Sequence, residues 1–154
     1  MPAVHCATKG GLLHKPCLPP SDQAHTTHLP TMQKIMGFFE SEYLRINFDT
    51  GNTFISGNDP LEFLKGVRKW VSHCHIKDVA ASLAADERGV STGIATSVAS
   101  IGGGVNAGNI KACVRYLEDT GWDGVLSIEC EGNDEILHPS VAWMRALVLK
   151  AAAA

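Results

Sequence analysis

Three short apolar segments each run into a side chain of the kind that ligates metals: Leu44-Arg45-Ile46-Asn47-Phe48-Asp49, Val71-Ser72-His73-Cys74-His75 and Val125-Leu126-Ser127-Ile128-Glu129. Two carboxylates and an imidazole gathered in one place can hold a divalent cation, with oxygen-rich ligation favouring the harder ions. The elements that must gather them are strands. Each segment is followed by a loop and a helix-like stretch, so the strands are expected to pair in parallel with right-handed crossovers. Their carboxyl ends then open on one face, and Asp49, His75 and Glu129 converge there.

Successive side chains of a strand point to opposite faces. One parity reads Leu44, Ile46, Phe48, then Cys74, Ile76, then Leu126, Ile128, Cys130. The other reads Arg45, Asn47, Asp49, then His73, His75, Lys77, then Ser127, Glu129, Glu131. The apolar parity is what a sheet presses against covering helices. Parallel sheets are usually covered on both faces, so the polar parity is read as the lining of a site rather than a solvated surface. Cys74 points away from the two histidines beside it, which favours core packing over zinc ligation.

Between the strands the chain is punctuated by helix signals. Pro30-Thr31 opens a helix with Met32, Ile35, Met36 and Phe39 at helical spacing; Asp59-Pro60 caps one through Leu61, Phe63, Leu64 and Val67. Asn106 is expected to cap a helix bearing Ile110, Val114 and Leu117 that Gly121 closes, and a last helix covers about 138–150. Asp49-Thr50-Gly51-Asn52 reads as a strand-to-loop turn, and 79–106 as a long loop with a turn or two of helix near Ala80 to Ala85. Residues 1–24 hold no regular period and read as an irregular leader outside the fold, with the domain at 25–150 and a tail at 151–154. Within residues 1–30, His5, His14, His25 and His28 could bind a metal opportunistically, but their irregular spacing disfavours it.

The 154 residues suffice for one domain with a core. Thirteen basic against 16 acidic residues give no electrostatic footprint for nucleic acid, and no apolar run approaches a membrane span. Five cysteines without paired spacing are read as reduced thiols of a cytoplasmic protein.

Four stretches carry a resemblance to a known family: Asn47-Phe48-Asp49-Thr50-Gly51-Asn52, His73-Cys74-His75-Ile76-Lys77-Asp78, Ile101-Gly102-Gly103-Gly104-Val105-Asn106 and Gly121-Trp122-Asp123-Gly124-Val125-Leu126-Ser127-Ile128-Glu129. In this order they resemble the sugar phosphate isomerase/epimerase family, the xylose isomerase-like (β/α)8 barrels that include endonuclease IV. The resemblance runs from about Thr26 to Leu149. It implies an α/β fold equivalent to the C-terminal half of a TIM barrel, about three to four βα units of a barrel that needs ~250 residues. It also implies that Asp49, His75 and Glu129 are three of four ligands to one divalent metal, Mn2+, Mg2+, Co2+ or Zn2+. The fourth, a Glu upstream of a Thr-Thr pair similar to Thr26-Thr27, has no counterpart, since the first Glu of the chain is Glu40. Its place falls near Pro20.

The implied activity is metal-dependent isomerisation or epimerisation of a small sugar or sugar phosphate through an enediolate, with Glu129 as the proton-abstracting base. Such a base needs a raised pKa. His73, Lys77, Asp78 and Arg88 are the secondary substrate-binding candidates, Lys77 set against an ordinary ion pair with Asp78. The glycines 102–104 are either anion-binding backbone or a bend. The alternatives are a non-catalytic, metal-binding or oligomerising half-barrel, completed by a second copy as a homo-oligomer, and endonuclease IV-like DNA repair, which the acidic excess opposes.

Overall fold

Strands that run parallel need a helix to bring the chain back, and that rule organises the whole molecule. The computed structural model describes residues 17–18, 28–38, 41–90, 95–96 and 98–151. Its strands are β1 (Cys17–Leu18), β2 (Arg45–Asp49), β3 (Val71–Ile76) and β4 (Val125–Ile128), lying in the order β1-β2-β3-β4 with every neighbouring pair parallel. The helices are α1 (Leu29–Gly37), α2 (Thr50–Ile55), α3 (Pro60–Val67), α4 (Ala81–Glu87), α5 (Ala107–Asp119) and α6 (Asp134–Ala151). This is a mixed α/β architecture built on a parallel sheet. None of its described helices is long and apolar enough to cross a membrane.

The apolar parity of the strands forms the core. Ile46, Phe48, Cys74 and Ile76 pack with Met32 and Met36 of α1, Phe63, Leu64 and Val67 of α3, Ile110, Cys113, Val114 and Leu117 of α5, and Met144 of α6. Phe48 stacks on Phe63 with ring centroids 6.3 Å apart. Burying each such large side chain stabilises the fold by about 1.5–3 kcal/mol. Trp70, Trp122 and Trp143 pack around the edge of this cluster. Cys74 and Cys113 are fully buried thiols inside it, so Cys74 is a packing residue, as its parity requires.

Helix starts follow local chemistry. Asp59 accepts a hydrogen bond from the backbone N–H of Glu62 at 3.0 Å and Pro60 takes the first helical position, so α3 begins where the sequence says it should. Three elements depart from expectation. Thr50–Ile55 is a helix rather than a loop, because Asp49 caps it directly from the strand end. α6 starts at Asp134, well before 138; Asn133 Oδ1 accepts from Glu135 N at 3.0 Å, acidic residues fill its first turn, and Pro139 is carried inside the helix. Asn106 makes no side-chain cap for α5; its Nδ2 donates instead to the carbonyls of Thr50 (3.0 Å) and Lys77 (3.3 Å). Cys17–Leu18, within the 1–24 stretch read as irregular, pairs with Arg45 and Ile46.

Candidate metal centre

Register brings the three ligand-type residues together. Asn47 pairs with His73 and Asp49 with His75 across β2 and β3, after a register shift between Ile46 and Asn47. His75 in turn pairs with Ser127 across β3 and β4. Glu129 follows Ser127 by two residues, one pleat further toward the carboxyl end, and its N–H donates to the Ile76 carbonyl at 2.9 Å. Polar parity therefore becomes polar proximity: ligand atoms of Asp49, His75 and Glu129 all lie within 4.8 Å of one another.

Each member is held for a reason visible in the backbone. Asp49 Oδ1 accepts from the N–H groups of Gly51 and Asn52, both at 2.8 Å, so one oxygen caps α2. The other oxygen lies 3.4 Å from Lys77 Nζ. Lys77 Nζ also reaches Glu129 Oε1 at 2.6 Å, Asn52 Oδ1 at 3.5 Å and the Ala95 carbonyl at 3.4 Å. Its stem passes over Gly51, where a Cβ would stand 2.6 Å from Lys77 Cγ. Glycine at 51 is thus a packing requirement of the lysine. Thr50 Oγ1 accepts from Lys77 N at 2.9 Å and fixes the strand end from which the lysine departs.

The electrostatics are uneven. Burial raises the Asp49 carboxyl above its ordinary value despite Lys77, with Glu129 adding repulsion. Burial acts on Glu129 in the same sense, but the His75 imidazole and the Lys77 ammonium together lower it to about 2. Burial alone would lower Lys77; the carboxylates of Asp49 and Glu129 outweigh it and raise the amine. Glu129 Oε2 lies 2.6 Å from His75 Nδ1, yet this buried oxygen has no aligned hydrogen-bond donor. A carboxylate oxygen and an imidazole nitrogen turned toward one point suit a shared cation, and the O,N donor set suits a divalent one. The residues present fit a metal.

The secondary candidates divide. His73 is 5% exposed and lies one pleat deeper, its Nε2 2.6 Å from Ser127 Oγ and its ring edge-on to His75 at 4.9 Å. Lys77 is at the centre itself. Asp78 is not: its two oxygens accept from the backbone N–H groups of Val79 (2.9 Å), Asn106 (2.9 Å), Gly102 (2.9 Å) and Gly104 (3.0 Å). The expected Lys77–Asp78 ion pair is replaced by Lys77 with Asp49 and Glu129. The anion served by the glycine run is therefore Asp78, a side chain of the protein. Arg88 also lies elsewhere, donating to the Phe54 carbonyl at 3.2 Å with its guanidinium 4.2 Å above the Phe54 ring. The place near Pro20 for a fourth ligand lies outside the described residues, as do His5, His14 and His25. His28 is engaged by Thr31, Nδ1 to Oγ1 at 2.8 Å. Sequence reasoning passed over two contributors, Asn52 and Asn47. The polar parity of β2 was the signal for Asn47, whose Nδ2 is 3.2 Å from His75 Nε2.

With this geometry in hand, comparison with known proteins is decisive on one point. Residues 16–147 match the family described as xylose isomerase-like TIM barrel. The chain belongs to that family. Among its relatives is an inosose dehydratase of Clostridium perfringens, 25% identical over 112 residues, with 70% of this chain and 37% of the relative covered. Among solved structures, a xylose isomerase domain protein from Planctomyces limnophilus superposes with a TM-score of 0.68 at 25% identity, over 90% of this chain and 47% of that one. A D-tagatose 3-epimerase-like protein shares the fold with a TM-score of 0.61 at 21% identity, over 82% of this chain and 42% of that one. The chain thus spans between a third and a half of the length of these three proteins.

Proposed function

We propose that this chain carries the metal-holding part of a sugar-modifying site, acting by isomerisation, epimerisation or dehydration on a small polyhydroxylated carbonyl compound. The observation that supports it most is the co-facial Asp49, His75 and Glu129 set, with ligand atoms within 4.8 Å and a buried Glu129 oxygen lacking an aligned donor. A divalent cation held there would supply Lewis acidity toward a carbonyl or hydroxyl oxygen.

What the chain's own residues would do follows from their contacts. Asp49 and His75 hold positions fixed by the α2 cap and the β2–β3 register. In this reading Glu129 would accept the proton beside the carbonyl, but at about 2 its carboxylate is a poor base while Lys77 is bound to it. Transfer of the Lys77 ammonium from Glu129 to a substrate oxygen would restore the basicity of the carboxylate and place positive charge beside a developing oxyanion. Isomerase, epimerase and dehydratase chemistry share this first proton removal, and both inosose dehydratase and D-tagatose 3-epimerase-like proteins occur among the relatives.

The test pairs binding with turnover. Wild type is expected to bind Mn2+ or Co2+, and the Asp49→Asn, His75→Ala and Glu129→Gln variants to bind at least about tenfold more weakly. Glu129→Gln should also abolish exchange of the substrate α-proton with solvent deuterium. Equal metal binding by all four proteins would overturn the proposal. Metal binding without proton exchange in wild type would instead select a second reading, a non-catalytic metal-binding half-barrel.

A further inference from the structure

Asn47 sits one pleat below Asp49 on β2 with 1% of its surface exposed. Its Nδ2 stands 3.2 Å from His75 Nε2, while its Oδ1 is buried without a hydrogen-bond partner among the described residues. A buried amide oxygen left unpaired is costly, so one at a site calls for an explanation. The opposite ring nitrogen, His75 Nδ1, is the one turned toward the centre, 2.6 Å from Glu129 Oε2.

An imidazole can offer a cation only a nitrogen that carries no hydrogen. The other nitrogen then carries the N–H and needs an acceptor, which fixes both tautomer and ring direction. The group against Nε2 is the Asn47 amide. As it lies, Nδ2 donates to a bare Nε2, the arrangement that leaves the hydrogen on Nδ1, facing Glu129. Half a turn of the amide exchanges Oδ1 and Nδ2 within nearly the same volume. The unpartnered oxygen then accepts from Nε2–H, and the Nδ1 lone pair faces the centre.

We propose that Asn47 is a positioning residue of the metal centre: its reversible amide holds the His75 ring in one direction and supplies the acceptor that makes Nδ1 the ligating nitrogen when a divalent cation enters. This rests on the metal-centre reading above and adds a residue to it. The paired geometry explains why an amide, rather than a carboxylate or an apolar group, stands at this buried position. An amide serves either tautomer; a leucine serves neither, and an aspartate serves the Nε2–H form alone.

The whole 154-residue chain is suited to the test. Co2+ titrated by its visible absorption should bind Asn47→Leu on the order of tenfold or more weakly than wild type. Asn47→Asp should bind at least as tightly as wild type, because a permanent acceptor faces Nε2. An amide that only fills space predicts the reverse, with the buried aspartate as damaging as leucine. In the Zn2+-loaded wild type, 15N spectra of histidine should show His75 protonated at Nε2 and metal-bound at Nδ1. The opposite assignment would overturn the inference, and this readout stands even where Asn47→Leu fails to fold. Wild-type Co2+ affinity in Asn47→Leu would overturn it alone. Absence of Co2+ binding by wild type would overturn it together with the proposed function.

Discussion

At Glu129, burial and ion pairing act with opposite signs on one carboxyl group, and pairing with His75 and Lys77 prevails. A carboxyl lowered from 4.5 to about 2 resists protonation in the folded protein more than in the unfolded chain. Its contribution to stability is therefore fully present above pH 4.5 and is lost as pH falls toward 2. Asp49, raised by its burial, contributes with the opposite sign. Comparison with Glu129→Gln isolates the first effect: the urea midpoint of wild type should fall more steeply through that acid window than that of the variant. Parallel curves would show that Glu129 is not ion-paired in solution. The same residue scale explains what the sequence disclosed about the site. Asp49, His75 and Glu129 were legible because each ends an apolar segment on a shared parity. Asn47 shares that parity, but its role depends on which ring nitrogen of His75 faces inward, and no spacing rule encodes a ring direction.

At the scale of elements, β2, β3, β4, α1, α3 and α5 were clearly legible from residue pattern and α2 was not. Thr50-Gly51-Asn52-Thr53 has the composition of a turn, and four such residues lack helix propensity. What overrides propensity is tertiary: Asp49 caps the segment, and every residue from Thr50 to Ile55 is buried. The loop after β3 teaches a related point. Its glycines suggested anion binding, and they do serve an anion, but it is Asp78. Gly104 has no room for a side chain, since a Cβ there would collide with Asp78 Oδ1 and the Val79 carbonyl. Asp78→Ala removes the acceptor from four backbone N–H groups at once. We expect a loss of about 3 kcal/mol in urea denaturation, with faster amide exchange at Gly102, Gly104 and Asn106 while α5 stays protected beyond its first turn. Unchanged exchange at those amides would show that the loop is held by other contacts.

Across the whole molecule, the site exists only when three strands are paired in register. His75 is linked to Asn47 and His73 to Ser127 across sequence separations of 28 and 54 residues. A one-residue slip of any strand would send its polar parity to the helix side. Sheet and centre are thus one cooperative object, with the helices holding the apolar face. The thiols embedded in that face give a way to watch it. Only the thiolate reacts with iodoacetamide; burial pushes the Cys113 thiol up to about 12 and the Cys74 thiol well above its ordinary value. Half-buried Cys130, two residues past β4, lies outside the buried core cluster. Residue-resolved alkylation should therefore label Cys130 promptly and Cys74 and Cys113 together, at a rate set by separation of the helices from the sheet. The chain carries its own clock for breathing of the core, with two hands that should move as one.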